Sequence, residues 1–243
     1  MRKFVFLITF LMLSSVFVSA QPISEIFKRM EQHQRALKSL RAEIAVSKFS
    51  VRSGGSYAKD GALTILPQKK DAYSVRLDST KPEEQNFLIV ANQYLIYFPA
   101  SKIAYTGSAA DSQKLMFYPF SDLSLKTLKP VYNILYTGEE KIGGTIRTWK
   151  LALTPKTPQN FDRIELWIDV NGMPLQWKIN ETSGDWTTVL LSKLQKNVDL
   201  NAAEFRINLP KGTKIIKESS TAAKKIVTQK RRVTSRRKFS RRR

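Results

Sequence analysis

The sequence predicts a mainly β domain with a few helices (α+β): a strongly bent antiparallel sheet covered by an N-terminal helix and a helical insert. Three observations predict it. Short apolar runs with two-residue alternation recur between turn residues along most of the chain. One early segment repeats its apolar residues every three or four positions instead. And Ser101 to Tyr136 breaks the β rhythm with pieces rich in Leu, Phe and Tyr, divided by Pro119 and Pro130.

Residues 1–20 stand apart from that domain. Arg2 and Lys3 form a basic start, Phe4 to Leu13 an apolar run, and Val18-Ser19-Ala20 a small-residue cleavage site, the pattern of a secretory signal peptide cleaved near Ala20. The protein is therefore expected outside the cytoplasm. The chain has no cysteine, which removes thiolate metal sites and thiol nucleophiles.

Gln21 to Leu40 reads as the amphipathic helix, with Ile26, Phe27, Met30, Leu37 and Leu40 on one stripe and Lys28, Arg29, Glu31, Arg35 and Lys38 elsewhere. Such a helix fits a movable lid over an apolar groove as well as a permanent cover on a sheet. Arg41 to Arg52 and Ala58 to Leu66 read as strands around Ser53-Gly54-Gly55-Ser56. Pro67 to Lys70 turns the chain into the strand of Tyr73, Val75 and Leu77, and 79–86 reads as a polar loop. Phe87 to Val90 and Tyr94 to Phe98 make a hairpin around Ala91-Asn92-Gln93. Within the break, Ser112 to Met116, Ser121 to Leu128 and Val131 to Leu135 read as short helices or turns.

Gly138 to Thr145 approaches a phosphate loop in outline, but two acids lie inside it and no lysine precedes the final Thr, so it reads as a hairpin turn. A strand with Trp149, Leu151 and Leu153 on one face follows. Ile164, Leu166, Ile168 and Val170 alternate with Glu165, Trp167 and Asp169, and Asn171-Gly172 then predicts a type I′ hairpin. Leu175, Trp177 and Ile179 continue the pattern, Ser183-Gly184 turns again, and Trp186 to Leu194 returns. Phe205, a Leu209-Pro210-Lys211-Gly212 turn and a short strand at Lys214 to Ile216 complete a body of eight to ten strands over 21–218.

The formal charge of +21 is unevenly placed. Lys224 to Arg243 hold eleven Lys or Arg and no acid, leaving the body about +8. Residues 219–243 have few apolar side chains and are expected to be a disordered basic tail. Its chemistry suits anionic lipid or lipopolysaccharide, and equally non-specific nucleic acid or plain solvent.

No catalytic constellation stands out. There is no G-x-S-x-G elbow, and the single histidine, His33, lies on the helix flank. Asp162, Glu165 and Asp169 read as loop or outward-facing strand residues. No catalytic residue, metal or cofactor is expected; a two-carboxylate hydrolase is the enzyme class that would leave least trace. The chain offers apolar surface instead. A sheet face carrying Leu63, Leu77, Phe87, Trp149, Leu166, Ile168 and Trp177 must be covered or used, and the candidate covers are the N-terminal helix and Leu123 to Leu135.

The ordered set Ile164, Leu166, Ile168-Asp169, Pro174-Leu175, Gly184-Asp185, Asn197, Phe205 and Leu209-Pro210-x-Gly212 resembles the C-terminal half of the periplasmic outer-membrane lipoprotein carriers, the LolA-like family. The run from Leu63 through Pro67, the polar loop and the aromatic strand ending in Pro99 resembles the preceding part, so the likeness spans roughly Ile23 to Lys217. The resemblance implies an incomplete antiparallel β-barrel closed by helices, most simply a monomer, that carries lipoprotein acyl chains across the periplasm. It implies two partners, an inner-membrane ABC-type release complex and an outer-membrane acceptor. By position, Leu63, Ile65, Val75, Leu77, Phe87, Ile89, Trp149, Leu151, Leu166, Ile168 and Trp177 would line the acyl-chain cavity, and Ile26, Met30 and Leu37 would face it from the lid. The family's lid-latching arginine beside the early Pro is replaced here by lysines, of which Lys69 is the candidate latch. The alternative on the same scaffold is an envelope sensor or lipid-binding protein that recognises acyl chains and regulates a membrane signalling partner.

Overall fold

The computed structural model describes residues 21–68, 73–109 and 123–217. The proposed signal peptide, Lys69, Ser112 to Met116 and the basic tail lie outside them. Helix α1 (Gln21–Ala36) is followed by strands β1 (Leu40–Ser50), β2 (Gly55–Pro67), β3 (Tyr73–Lys81), β4 (Gln85–Val90), β5 (Gln93–Phe98) and β6 (Ile103–Ser108). A one-turn helix α2 (Leu125–Leu128) precedes β7 (Tyr132–Ile142), β8 (Ile146–Pro155), β9 (Phe161–Asp169), β10 (Pro174–Glu181), β11 (Trp186–Lys196) and β12 (Lys214–Lys217).

The twelve strands form one sheet in the order β12-β6-β5-β4-β3-β2-β1-β11-β10-β9-β8-β7. It curls without closing, so β7 and β12 are its edges, which is an incomplete barrel. Every pairing is antiparallel except β12 with β6. Alternation of direction gathers the starts of β1, β3, β5, β8 and β10 and the ends of β2, β4, β6, β7, β9 and β11 at one end of the sheet. Helix α1 lies against this end, which we call the helix end: Gln34 Nε2 donates to the Tyr73 hydroxyl at the start of β3 (3.0 Å), and Arg29 Nη1 donates to Val170 O just after β9 (2.8 Å).

The hydrophobic pattern accounts for the curl. On β1, Leu40, Ala42, Ile44 and Val46 are buried while Arg41, Glu43 and Ser47 are exposed, and the paired residues Leu63 and Ile65 of β2 continue the same face. One core cluster runs along that face through β3, β4, β8, β9, β10 and β11 and includes Ile26, Phe27, Met30 and Leu37 of α1. An amphipathic helix must seat its apolar stripe somewhere, and here the sheet wraps around it.

Several elements differ from the sequence reading. Val131 to Leu135 is not helical: from Tyr132 the chain is strand β7, in which Tyr132, Ile134 and Tyr136 turn toward the core and Leu135 is 63% exposed. An apolar residue on the outward face of an edge strand blurs its two-residue period. Of the expected helix or turn from Ser121 to Leu128, the described residues 123–128 form a helix only at Leu125–Leu128, capped by Ser124, whose side chain accepts from Thr127 N–H. Helix α1 ends at Ala36, because Leu40 already pairs with Ile65 and Lys196 as the first residue of β1. The expected loop at 79–86 is shorter, since β3 runs to Lys81 and β4 begins at Gln85. The Gly138 to Thr145 segment turns at Gly143-Gly144, but Gly138 to Ile142 belong to β7.

The Asn171-Gly172 hairpin exists in a different form. Only Gly172 has a positive φ (88°), so the turn is not type I′. Gly172 N–H donates to Asp169 O, and the Asp169 carboxylate accepts from the N–H groups of Asn171 and Met173 (2.9 and 2.8 Å). An Asx-type bond from a residue at the end of β9 therefore selects the turn.

Candidate apolar groove and its helical cover

Ten of the eleven residues expected to line a cavity share one buried face. Leu63 and Ile65 of β2 pair with Leu77 and Val75 of β3, which pair in turn with Phe87 and Ile89 of β4. Across the sheet Leu151 of β8 pairs with Leu166 of β9, which pairs with Trp177 of β10, and Ile168 adjoins them. All ten belong to the core that α1 joins. Trp149 differs: it sits only partly buried at the margin, with the Arg29 guanidinium 5.1 Å from its ring centre. A cation over an indole face is favourable, and it ties the helix to that margin.

The three lid residues behave as one apolar stripe. Ile26, Met30 and Leu37 are all buried, together with Phe27, which completes the stripe. Of the other candidate cover, Leu123 and Leu128 are buried in the same core, whereas Val131 and Leu135 are exposed. With α1 seated, the face beneath it is filled by side chains.

Polar contacts hold the helix at its rim. Arg29 pairs with Glu25 one turn earlier (2.8 Å) while reaching Val170 O, and its hydrogen bond and positive charge hold the Glu25 carboxyl below the usual range. Gly172 lies directly against the helix backbone: a Cβ there would fall 2.3 Å from Arg29 C and O and 2.6 Å from Met30 N. The β9–β10 turn is thus built to let the helix approach closer than any side chain would permit. Arg76, the nearest arginine after the Pro67 region, plays no part in this. It bonds Asp78 and the carbonyl of Glu204, clasping the 202–205 turn to β3.

Beside Arg29 and Gly172, a narrow crevice of about 20 Å³ opens between α1, the β9–β10 turn and the facing residues Pro67 and Tyr73, lined also by Met30, His33, Gln34, Leu37 and Met173. His33 Nε2 is buried here with no hydrogen-bond partner among the described residues. Burial pushes the His33 pKa below its ordinary value, Lys196 adds to that shift, and Asp169 opposes it.

The carboxylates considered for chemistry are engaged elsewhere. Asp169 builds the turn. Glu165, on the opposite sheet face, meets Lys150 at 3.4 Å and accepts from Asn180; Lys150 also meets Glu140 at 2.9 Å and stands over the Trp167 ring. Asp162 is exposed near the start of β9.

The sequence reading missed Arg29, Gly172 and the Gln34–Tyr73 bond as parts of the cover. Arg29 reads as an ordinary charge on the polar face of α1, and Gly172 as a turn residue. Arg29 and Gly172 lie well over a hundred positions apart, and no local pattern carries the signal of their meeting.

Comparisons with known proteins follow the same lines. The family model described as outer membrane lipoprotein carrier protein LolA matches residues 72–208. No curated protein matches the chain in sequence. Among solved structures, an uncharacterized conserved protein from Thermus thermophilus is 16% identical, with a TM-score of 0.53, covering 81% of this chain and 99% of that one. MucB is 15% identical with a TM-score of 0.52; the match covers 78% of this chain but 64% of MucB. The Mycobacterium tuberculosis lipoprotein LppX matches at 15% identity and a TM-score of 0.47, covering 75% of this chain and 100% of LppX.

Proposed function

The chain belongs to the LolA family of outer membrane lipoprotein carrier proteins, and from that premise we propose that it binds lipoprotein acyl chains on the face that α1 covers. In this reading it is an exported, non-catalytic shuttle. It takes cargo from an inner-membrane ABC-type release complex and passes it to an outer-membrane acceptor.

The observation that carries the proposal is the pairing of a continuous apolar sheet face with one amphipathic helix latched at the rim. Seating Ile26, Phe27, Met30 and Leu37 is worth about 1.5–3 kcal/mol each, so roughly 6–12 kcal/mol holds α1 in place. An acyl chain of about fifteen methylenes gains roughly 12 kcal/mol on leaving water. One chain therefore matches the helix it would displace, and exchange between helix and lipid is close to balanced. That balance is what a carrier needs, since cargo held much more tightly could not be delivered.

The absence of cysteine makes a direct test simple. Gln34→Cys and Tyr73→Cys, joined by a short bismaleimide, would tie α1 to β3 where the two side chains already meet. Uptake of a fluorescent fatty acid should be lost on cross-linking and kept in the uncross-linked double variant. Full uptake with the cross-link in place would sink the helix-exchange mechanism.

A further inference from the structure

We infer that the covered face, at the end away from α1, seats a carboxylate between the Lys59 ammonium and the Ser79 hydroxyl. The ligand class this implies is the free fatty acid, its tail toward the helix end and its acid head opposite. The inference rests on the reading that this face takes acyl chains, and adds a ligand class to it.

Away from the helix end the face turns polar. On β2 its inward positions run from Ile65 and Leu63 through Gly61 to Lys59, while Ser79 of β3 pairs with Gly61 on one side and with Gln85 of β4 on the other. Lys59 Nζ donates to Gln85 Oε1, on the strand beyond β3, so the ammonium crosses the face beside Ser79. Gly61 keeps that path open. It puts no side chain opposite Ser79, and none fits there, since a Cβ would lie 2.5 Å from Asp78 O.

Both polar groups ask for a partner here. Ser79 is 1% exposed, yet its Oγ has no hydrogen-bond partner among the described residues. A buried hydroxyl ordinarily has one. The Lys59 ammonium carries three donors, and the bond described above goes to a neutral amide. Burial pushes its pKa down to about 8, against an upward pull from Glu83, so at neutral pH it still holds its proton. A cation kept among apolar strands is costly, and a bound anion offsets that cost.

The surrounding charges select a single negative charge. Lys48, inward on β1 at the same end, is already paired with Glu181 at 3.2 Å. Glu83, exposed between β3 and β4, adds negative potential. One ammonium, one hydroxyl and one amide suit the two oxygens of a carboxylate, whereas a phosphate dianion would meet too little positive charge. From Lys59 to Ile65 the strand advances about 20 Å, flanked by Leu63, Leu77, Val75 and Phe87. A head seated at Lys59 therefore lets the tail run to the apolar stripe of α1.

The test titrates the chain from Gln21 to Arg243 at neutral pH with a fluorescent fatty acid and with its methyl ester, which keeps the tail and removes the charge. The acid should bind about tenfold more tightly than the ester. Lys59→Met should bring that ratio to about one and Ser79→Ala should cut it about threefold, both with ester affinity kept within about twofold. Ester binding then shows that each variant is folded. Arg52→Gln, which removes an exposed cation at the same end, should leave the ratio unchanged. Equal affinity for acid and ester in the unaltered protein would overturn the inference while leaving acyl binding intact. A ratio that survives Lys59→Met or Ser79→Ala would overturn it too, as would displacement of the probe by hexadecyl phosphate more readily than by palmitate. Binding of neither acid nor ester would instead refute the acyl-binding premise, and the inference with it.

Discussion

Replacing Gly172 by alanine separates a cover that opens from one that is permanent core. The new Cβ would lie 2.3 Å from Arg29 C and O, more than 1 Å inside ordinary contact, and those atoms are backbone that cannot rotate away. The hairpin turn carries a second penalty, because Gly172 has φ +88°. The two penalties act on different equilibria. The φ penalty weighs on every folded state, seated helix or not, whereas the clash weighs only on the seated state and is relieved when α1 departs. Overpacking of this kind costs about 1–3 kcal/mol, so at about 2 kcal/mol the population with α1 unseated rises roughly thirtyfold. A ligand that binds only that population gains apparent affinity in proportion. Gly184→Ala is the matched control: its φ is +82°, also in a hairpin turn, but its Cβ would meet only the Val51 side chain, at 3.0 Å. Fluorescent fatty-acid titration should therefore show about thirtyfold tighter binding for Gly172→Ala and no change for Gly184→Ala. If both lose stability and neither binds more tightly, α1 is core and the displacement argument fails.

Two further outcomes follow from buried titratable groups. His33 has a folded pKa below its ordinary value, so the folded protein binds fewer protons than the unfolded chain and stability falls as pH drops below about 6.5. Protection factors for residues 21–36, corrected for the intrinsic pH dependence of amide exchange, should fall between pH 7.5 and 5, and His33→Gln should flatten that dependence; an equally steep profile in the variant would remove His33 as its source. Lys59, on the inward face of β2, is pushed down to about 8 by burial, against an upward pull from Glu83, while it donates to Gln85 Oε1. A depressed lysine pKa means stability is lost as pH falls from about 10.5 to 8 and stays lost below, so Lys59→Met should stabilise the protein at pH 7 by about 2 kcal/mol after the lost hydrogen bond is counted. Denaturant titration showing no gain would mean the ammonium keeps more of its water than its burial implies.

Much of the architecture was legible because its signals are local. The β4–β5 hairpin follows from Ala91-Asn92, both of which take positive φ (47° and 66°), flanked by alternating apolar runs. The inward faces of β2, β3, β9 and β10 were readable from a two-residue period, since burying one face forces the alternation. What failed did so where tertiary context overrode the local pattern. β7 has one partner strand, so an outward Leu135 costs little and the alternation that would mark it is incomplete. The Asn171-Gly172 turn changed type because Asp169 supplied two hydrogen bonds that a dipeptide rule does not weigh. The latch was illegible for a different reason: Arg29 meets Val170 and Trp149 only after β9, β10 and the helix have assembled.

The division of labour between sheet and helix explains why a binding face of this kind leaves so faint a trace. Each sheet residue proposed to meet lipid also pairs across strands, and its backbone hydrogen bonds persist whether or not α1 is seated. The sheet can therefore lose its cover without losing its form. The helix contributes no such ladder; apart from apolar contact, it is tied to the sheet by Arg29 and Gln34 and by the close approach at Gly172. Apolar contact is non-directional and scales with area, so in the proposed exchange an acyl chain would replace it almost without regard to sequence. Direction is needed only at the rim, where the helix must return to one place. In the proposed exchange, the residues that would return the cover to its place are accordingly a guanidinium, an amide and a missing side chain, and the face beneath it is written in the same letters as a core.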